Sequence, residues 1–139
     1  MQKIILDTNV IVSALISKSY PYRILYNYVF ARKVVLCLSD EIIEEYIEVL
    51  NRAKFEKFLN FKNNAEVVLN KLIEIADPYT PTEKMLIISD LADNKFLELA
   101  KESNSEFLIT GNHKDFDFEV FENTKIVSPG LYIEKYRPE

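Results

Sequence analysis

Several acids and amides stand where the surrounding pattern calls for core. Asp7 closes the apolar run Ile4-Ile5-Leu6 and is followed by Thr8-Asn9 and then Val10-Ile11-Val12. An ionised carboxylate between two core-forming stretches is costly unless something compensates it. Asp7 or Thr8 either caps the helix that follows, or Asp7 stands at a strand mouth as a ligand or catalytic group. Asp93 poses the same question. At about 100° per residue, Ala92, Phe96, Leu97, Leu99 and Ala100 form one apolar stripe, and Asp93 projects inside it. It is either a partner of the helix N-terminal dipole or a buried ligand or catalytic group. Asn94, Lys95 and Glu98 are expected on the opposite, polar side. The helix after Asp40 carries Glu41, Glu44, Glu45 and Glu48, of which Glu45 lies nearest the apolar stripe, beside Ile42 and Val49. Finally, Phe107–Thr110 runs into Gly111-Asn112-His113-Lys114-Asp115, where Asn112 and Asp115 hang over one sheet edge. By itself such a stretch is an ordinary turn. His113 is the single histidine and Cys37 the single cysteine. A structural zinc site and a Ser-His-Asp nucleophile are therefore out of reach.

These residues need elements to hold them. Lys3–Leu6, Val34–Leu38, Phe107–Thr110 and Lys125–Val127 read as buried strands, and Met85–Ile88 as a strand or a helix lead-in. Helical patterns cover Ile11–Ile16, Tyr22–Arg32, Asp40–Asn51 with Ser39 or Asp40 as N-cap, Phe55–Phe61, Ala65–Ala76 and Ala92–Lys101. Strands alternating with helices predict an α/β fold with a parallel sheet covered on both faces. Ligands of such sheets bind beyond the carboxyl ends of the strands, where Asp7 and Asn112 fall.

Composition sets the outer bounds. The chain has 139 residues, 48 % hydrophobic and 28 % charged, and reads as one globular domain over 1–139. No apolar run approaches the roughly 18 residues of a membrane span. The start shows no signal peptide, and Cys37 sits in an apolar run that suits a buried, inert thiol. A cytoplasmic protein is expected. The net charge of −5 argues against coating nucleic acid through a broad positive field, while leaving room for a local site. With Gly111 and Gly130 as the only glycines, Walker and Rossmann phosphate loops are absent.

Taken in order, Ile5-Leu6-Asp7-Thr8-Asn9-Val10, Ser39 through Glu45 to Val49-Leu50 with Arg52 and Lys54-Phe55, Asp93 seven residues before Ala100, and Leu108-Ile109-Thr110-Gly111-Asn112 resemble the PIN-domain nucleases. The set is most similar to the VapC-like toxin components of toxin–antitoxin systems. The resemblance implies a three-layer α/β/α domain with a central parallel sheet of about four to five strands. It also implies a Mg²⁺- or Mn²⁺-dependent endoribonuclease, with RNA as substrate, a small antitoxin protein as partner and a homodimer as assembly. Its four acidic positions fall on Asp7, Glu45, Asp93 and the segment Asn112–Asp115. The fourth departs from the pattern. Relatives with the Thr-Gly opening carry Asp where this chain has Asn112, and others place an acid three residues later, here Asp115. Thr8, Asn9 or Thr110 is expected to give the site polar support.

Hard divalent cations prefer oxygen ligands, and a bound ion lowers the pKa of a water and stabilises a departing oxygen. Lys18, Arg23, Arg52, Lys54 and Lys114 stand ready to meet RNA phosphates, though such residues are commonly plain surface. Phosphoryl transfer of the haloacid dehalogenase kind also begins with an acid after the first strand. It wants a second Asp where Asn9 stands. A catalytically inert PIN-like module that binds RNA or protein is the alternative motivated by Asn112 and the acidic charge.

Overall fold

The apolar run at the start of the chain becomes β1 (Lys3–Leu6), an interior strand of the sheet. The structure is a computed structural model describing residues 1–84, 91–112, 116 and 119–139, and the backbone alone for 91–93. After β1 come α1 (Thr8–Ile16) and α2 (Tyr20–Arg23), the latter running on into a wider-wound π turn at Ile24–Val29. Then follow β2 (Val35–Leu38), α3 (Asp40–Leu50), α4 (Phe61–Ile75) and β3 (Asp77–Pro78). The second half holds α5 (Leu91–Ser103), β4 (Phe107–Ile109), β5 (Val120–Phe121), β6 (Thr124–Val127) and α6 (Pro129–Leu131). A π turn at Tyr132–Tyr136 continues α6.

The described strands form one sheet in the order β3-β2-β1-β4-β6-β5. Pairing is parallel from β3 to β6, with Ile4 opposite Leu36, Ile5 opposite Leu108 and Leu108 opposite Ile126. Only β5 runs antiparallel, along β6. With helices on both sides, the architecture is three-layered α/β/α. The four strands expected from apolar runs are present at nearly the expected bounds. The two edge strands β3 and β5 are additions, because two residues of each pair with a neighbour and neither has an apolar run of its own. Met85–Ile88 lies outside the described residues.

β1 and its neighbours read as continuous apolar runs because both faces are covered. Ile4, Ile5, Leu6, Leu36, Leu38, Leu108 and Ile109 are all buried. Cys37 is buried as expected, and burial pushes its thiol above the ordinary value. The helical stretch expected at Phe55–Phe61 is instead a 3₁₀ turn at Ala53–Phe55 and further turns. Asn60, with φ 59°, breaks the path, and α4 starts after it. Arg32, also at φ 59°, ends the segment that begins at Tyr20.

α5 corrects another expectation. Asn94 and Glu98, assigned to a solvated face, are 2 % and 7 % exposed. The chain before α5 covers that side: Lys84 reaches Glu98 at 3.7 Å, and Thr82 donates twice to Glu102. Periodicity sorts polar from apolar faces, but a helix packed on both sides buries its polar face as well.

Candidate active site

The site is built where β1 ends. Asp7 has extended backbone (φ −63°, ψ 150°) in the N-cap position of α1, yet its side chain makes no capping hydrogen bond. Its carboxylate faces β4 instead. The Thr110 hydroxyl donates to Asp7 Oδ2 at 2.7 Å and the Asn9 amide to the same oxygen at 3.4 Å. The Asp7 backbone N–H donates to the carbonyl of Ile109 at 2.9 Å, so β1 and β4 are still joined where both strands end. Asp7 as a whole is 7 % exposed. A carboxylate this buried needs such donors to remain ionised.

The loop after β4 is fastened to the same place. Gly111 N–H donates to Asn9 Oδ1 at 3.0 Å, and Asn112 N–H donates to Thr110 Oγ1 at 3.0 Å. A Cβ on Gly111 would lie 3.3 Å from Asn9 Oδ1, so this close backbone approach suits glycine. Thr110 thus gives its hydrogen to Asp7 and accepts from the loop.

Glu45 comes in from α3, whose start is capped by Ser39 Oγ accepting from the Ile42 N–H at 3.4 Å. The Thr8 hydroxyl donates to Glu45 Oε2, and Lys95 of α5 lies 3.2 Å from Oε1. The next residue, Tyr46, is wholly buried and donates its phenol O–H to the carbonyl of Leu6 at 2.5 Å. Its phenol is held well above its usual value, first by burial, then by the charges of Asp7 and Glu45. Tyr46 therefore ties α3, which carries Glu45, to the end of β1, where Asp7 follows.

Of the expected site residues, the structure brings together Asp7, Glu45, Thr8, Asn9, Thr110 and the backbone of Asn112. Asp93 lies on α5, two residues before Lys95, with its side chain outside the described residues. Asp115, with His113 and Lys114, lies outside them altogether. Among the described residues no group of three or more His, Cys, Asp or Glu side chains is close enough to hold a metal ion. Two site residues escaped sequence reasoning. Tyr46 looks like core from its apolar neighbours, and Lys95 looks like surface. Neither carries a signal without knowledge of how α3 meets β1 and α5.

Of the basic residues considered for RNA contact, the four among the described residues are engaged locally, and Lys114 lies outside them. Arg52 pairs with Glu48 at 2.8 Å, while Lys18, Arg23 and Lys54 lie over the rings of Tyr22, Tyr20 and Phe55.

Two carboxylates held by hydroxyls thus stand beyond the carboxyl end of a parallel α/β/α sheet. Residues 3–114 match the PIN domain family, and the chain belongs to it. PIN domains are generally nucleases, and PIN nucleases usually use divalent metals. The chain is also 32 % identical over 111 residues to an uncharacterized protein of Methanocaldococcus jannaschii, covering 79 % of this chain and 70 % of the relative. Among the described residues no helix is long and apolar enough to cross a membrane.

Proposed function

We propose that this chain is a metal-dependent endoribonuclease, acting as the toxin of a toxin–antitoxin pair. The observation that carries the reading is Asp7, which occupies a helix N-cap position without capping and whose carboxylate is held at the end of β1 by Thr110 and Asn9. A carboxylate kept buried and oriented at a strand end, with its cap role declined, is arranged for a ligand.

The donors fit a hard divalent cation, because the described ones are carboxylate and hydroxyl oxygens. Asp7 and Glu45 would hold Mg²⁺ or Mn²⁺, joined by Asp93 and by Asn112 or Asp115. The ion supplies Lewis acidity and a water of lowered pKa. The chain's own residues do the positioning. Thr110 and Asn9 fix the Asp7 oxygens, Thr8 fixes one oxygen of Glu45, and Tyr46 locks α3 against β1. Burial around Asp7 limits competing water and strengthens each of these polar contacts. Asp93 or the fourth-position group orients the attacking water.

Incubating end-labelled RNA with the purified protein in Mn²⁺ or in chelator tests the activity. Internal cleavage in Mn²⁺ and none in chelator is expected, and intact RNA in both overturns the reading. The toxin role and the homodimer rest on the motif resemblance. Expression should arrest growth, and a small protein encoded beside this one should relieve the arrest. A non-cutting PIN-like module is the second reading, favoured by Asn112 at a position where an acid is expected. It predicts no Mn²⁺-dependent stabilisation.

A further inference from the structure

We propose that Lys95 is a built-in cation of this site: its ammonium competes with a divalent metal ion for Glu45 and serves as a contact for a phosphate oxygen of the RNA. The phosphate contact rests on the ribonuclease reading, and the competition rests only on that reading's placement of the metal at Glu45.

Both oxygens of Glu45 already have protein donors, the Thr8 hydroxyl on Oε2 and Lys95 on Oε1 at 3.2 Å. A metal ion that reaches Glu45 must therefore share it with, or displace, a full positive charge. The pair is well covered, with side chains 22 % (Lys95) and 16 % (Glu45) exposed, so the competition takes place where charges are weakly screened.

Lys95 also has the right surroundings for phosphate. It lines an open cleft of about 540 Å³ together with Glu41, Glu44, Glu45, Glu48 and Arg52. A polyanion entering a cleft with four glutamates meets repulsion unless cations are fixed there. Lys84 and Arg52 neutralise Glu41 and Glu48 from more open positions, with 73 % and 46 % of their side chains exposed. Lys95 is the most enclosed of the three cations and the one that touches Glu45. An ammonium has three N–H donors, and the ion pair with Glu45 leaves capacity for a phosphate oxygen.

The test uses the full chain and two measurements that do not depend on turnover. In calorimetric titration with Mn²⁺, Lys95→Met should bind about tenfold more tightly than wild type or better, while Lys95→Arg stays close to wild type. In chelator, binding of a fluorescently labelled single-stranded RNA is followed by anisotropy across salt concentrations. Lys95→Met should reduce the slope of log K against log salt by about 0.7, the loss of one phosphate contact, and Lys95→Arg should retain it. A residue that merely supports packing would not tighten Mn²⁺ binding when removed. Unchanged or weaker Mn²⁺ affinity in folded Lys95→Met overturns the competition, and an unchanged salt slope overturns the phosphate contact. Circular dichroism checks the fold, with Lys95→Gln taking the place of a Lys95→Met that does not fold. Absence of RNA cleavage by wild type would count against the ribonuclease reading alone, since neither measurement uses cleavage.

Discussion

The Tyr46 phenol shows how one buried hydroxyl serves both the fold and the site. Its hydrogen bond to the Leu6 carbonyl fixes α3 to the strand that ends in Asp7. Tyr46→Phe keeps the ring and removes the bond, so a loss of about 1–2 kcal/mol in denaturant unfolding is expected. The phenol also confers a pH dependence. Its folded value lies far above the ordinary 10, so below that pH both folded and unfolded states keep the proton. As pH rises past it, the unfolded state releases its proton first and the tyrosine's contribution to stability is progressively lost. Tyr46→Phe should flatten this alkaline decline, as read by thermal melts at increasing pH. A second residue-level expectation concerns the fourth site position. Asn112 offers a neutral oxygen, whereas Asp115 offers a full charge. Asp115→Ala should slow RNA cleavage more than Asn112→Ala, and Asn112→Asp should tighten Mn²⁺ binding. Rates measured against Mn²⁺ concentration separate the variants, and a dead Asn112→Ala beside an unaffected Asp115→Ala would reverse the assignment.

Among the elements, α3 depends most visibly on a local signal. Ser39 precedes it and accepts from Ile42 N–H, which decides between the two caps, Ser39 and Asp40, that the sequence offers. Ser39→Ala should destabilise the chain by about 1 kcal/mol, measured by urea unfolding, with metal affinity changed little because Glu45 lies beyond the first turn. The same contrast explains what was legible elsewhere. β1, β2, β4 and β6 announce themselves because strands covered on both faces need unbroken apolar runs. Asp7 and Glu45 were visible as acids at odds with their neighbours, and the structure places both at the end of β1. Asn94, Glu98 and Lys95 were not visible, because helical periodicity assumes a face open to water. On α5 that face meets Glu45 of α3 and the chain near Lys84. The edge strands β3 and β5 were equally hidden, since they arise from pairing and not from apolar character.

At the scale of the whole molecule, the proposed site links metal binding to folding. Like charges gathered beyond β1 oppose one another in the absence of a cation, and a cation that binds only the folded chain stabilises it. Mn²⁺ at 100 times its Kd adds about 2.7 kcal/mol, which appears as a rise of several degrees in Tm. Asp93→Ala should remove much of that rise if Asp93 completes the site. An equal shift in both proteins would mark Asp93 as a helix-start acid instead. The most direct measurement compares wild type with Asp7→Asn for Mn²⁺-dependent cleavage of RNA, with Tm in chelator recorded on the same samples. The replacement preserves shape and hydrogen-bonding capacity while removing the charge. The expected result is cleavage lowered by at least about a hundredfold, ~2.7 kcal/mol in barrier, with Tm in chelator unchanged or raised. Full cleavage by a folded Asp7→Asn would contradict the assignment of this site.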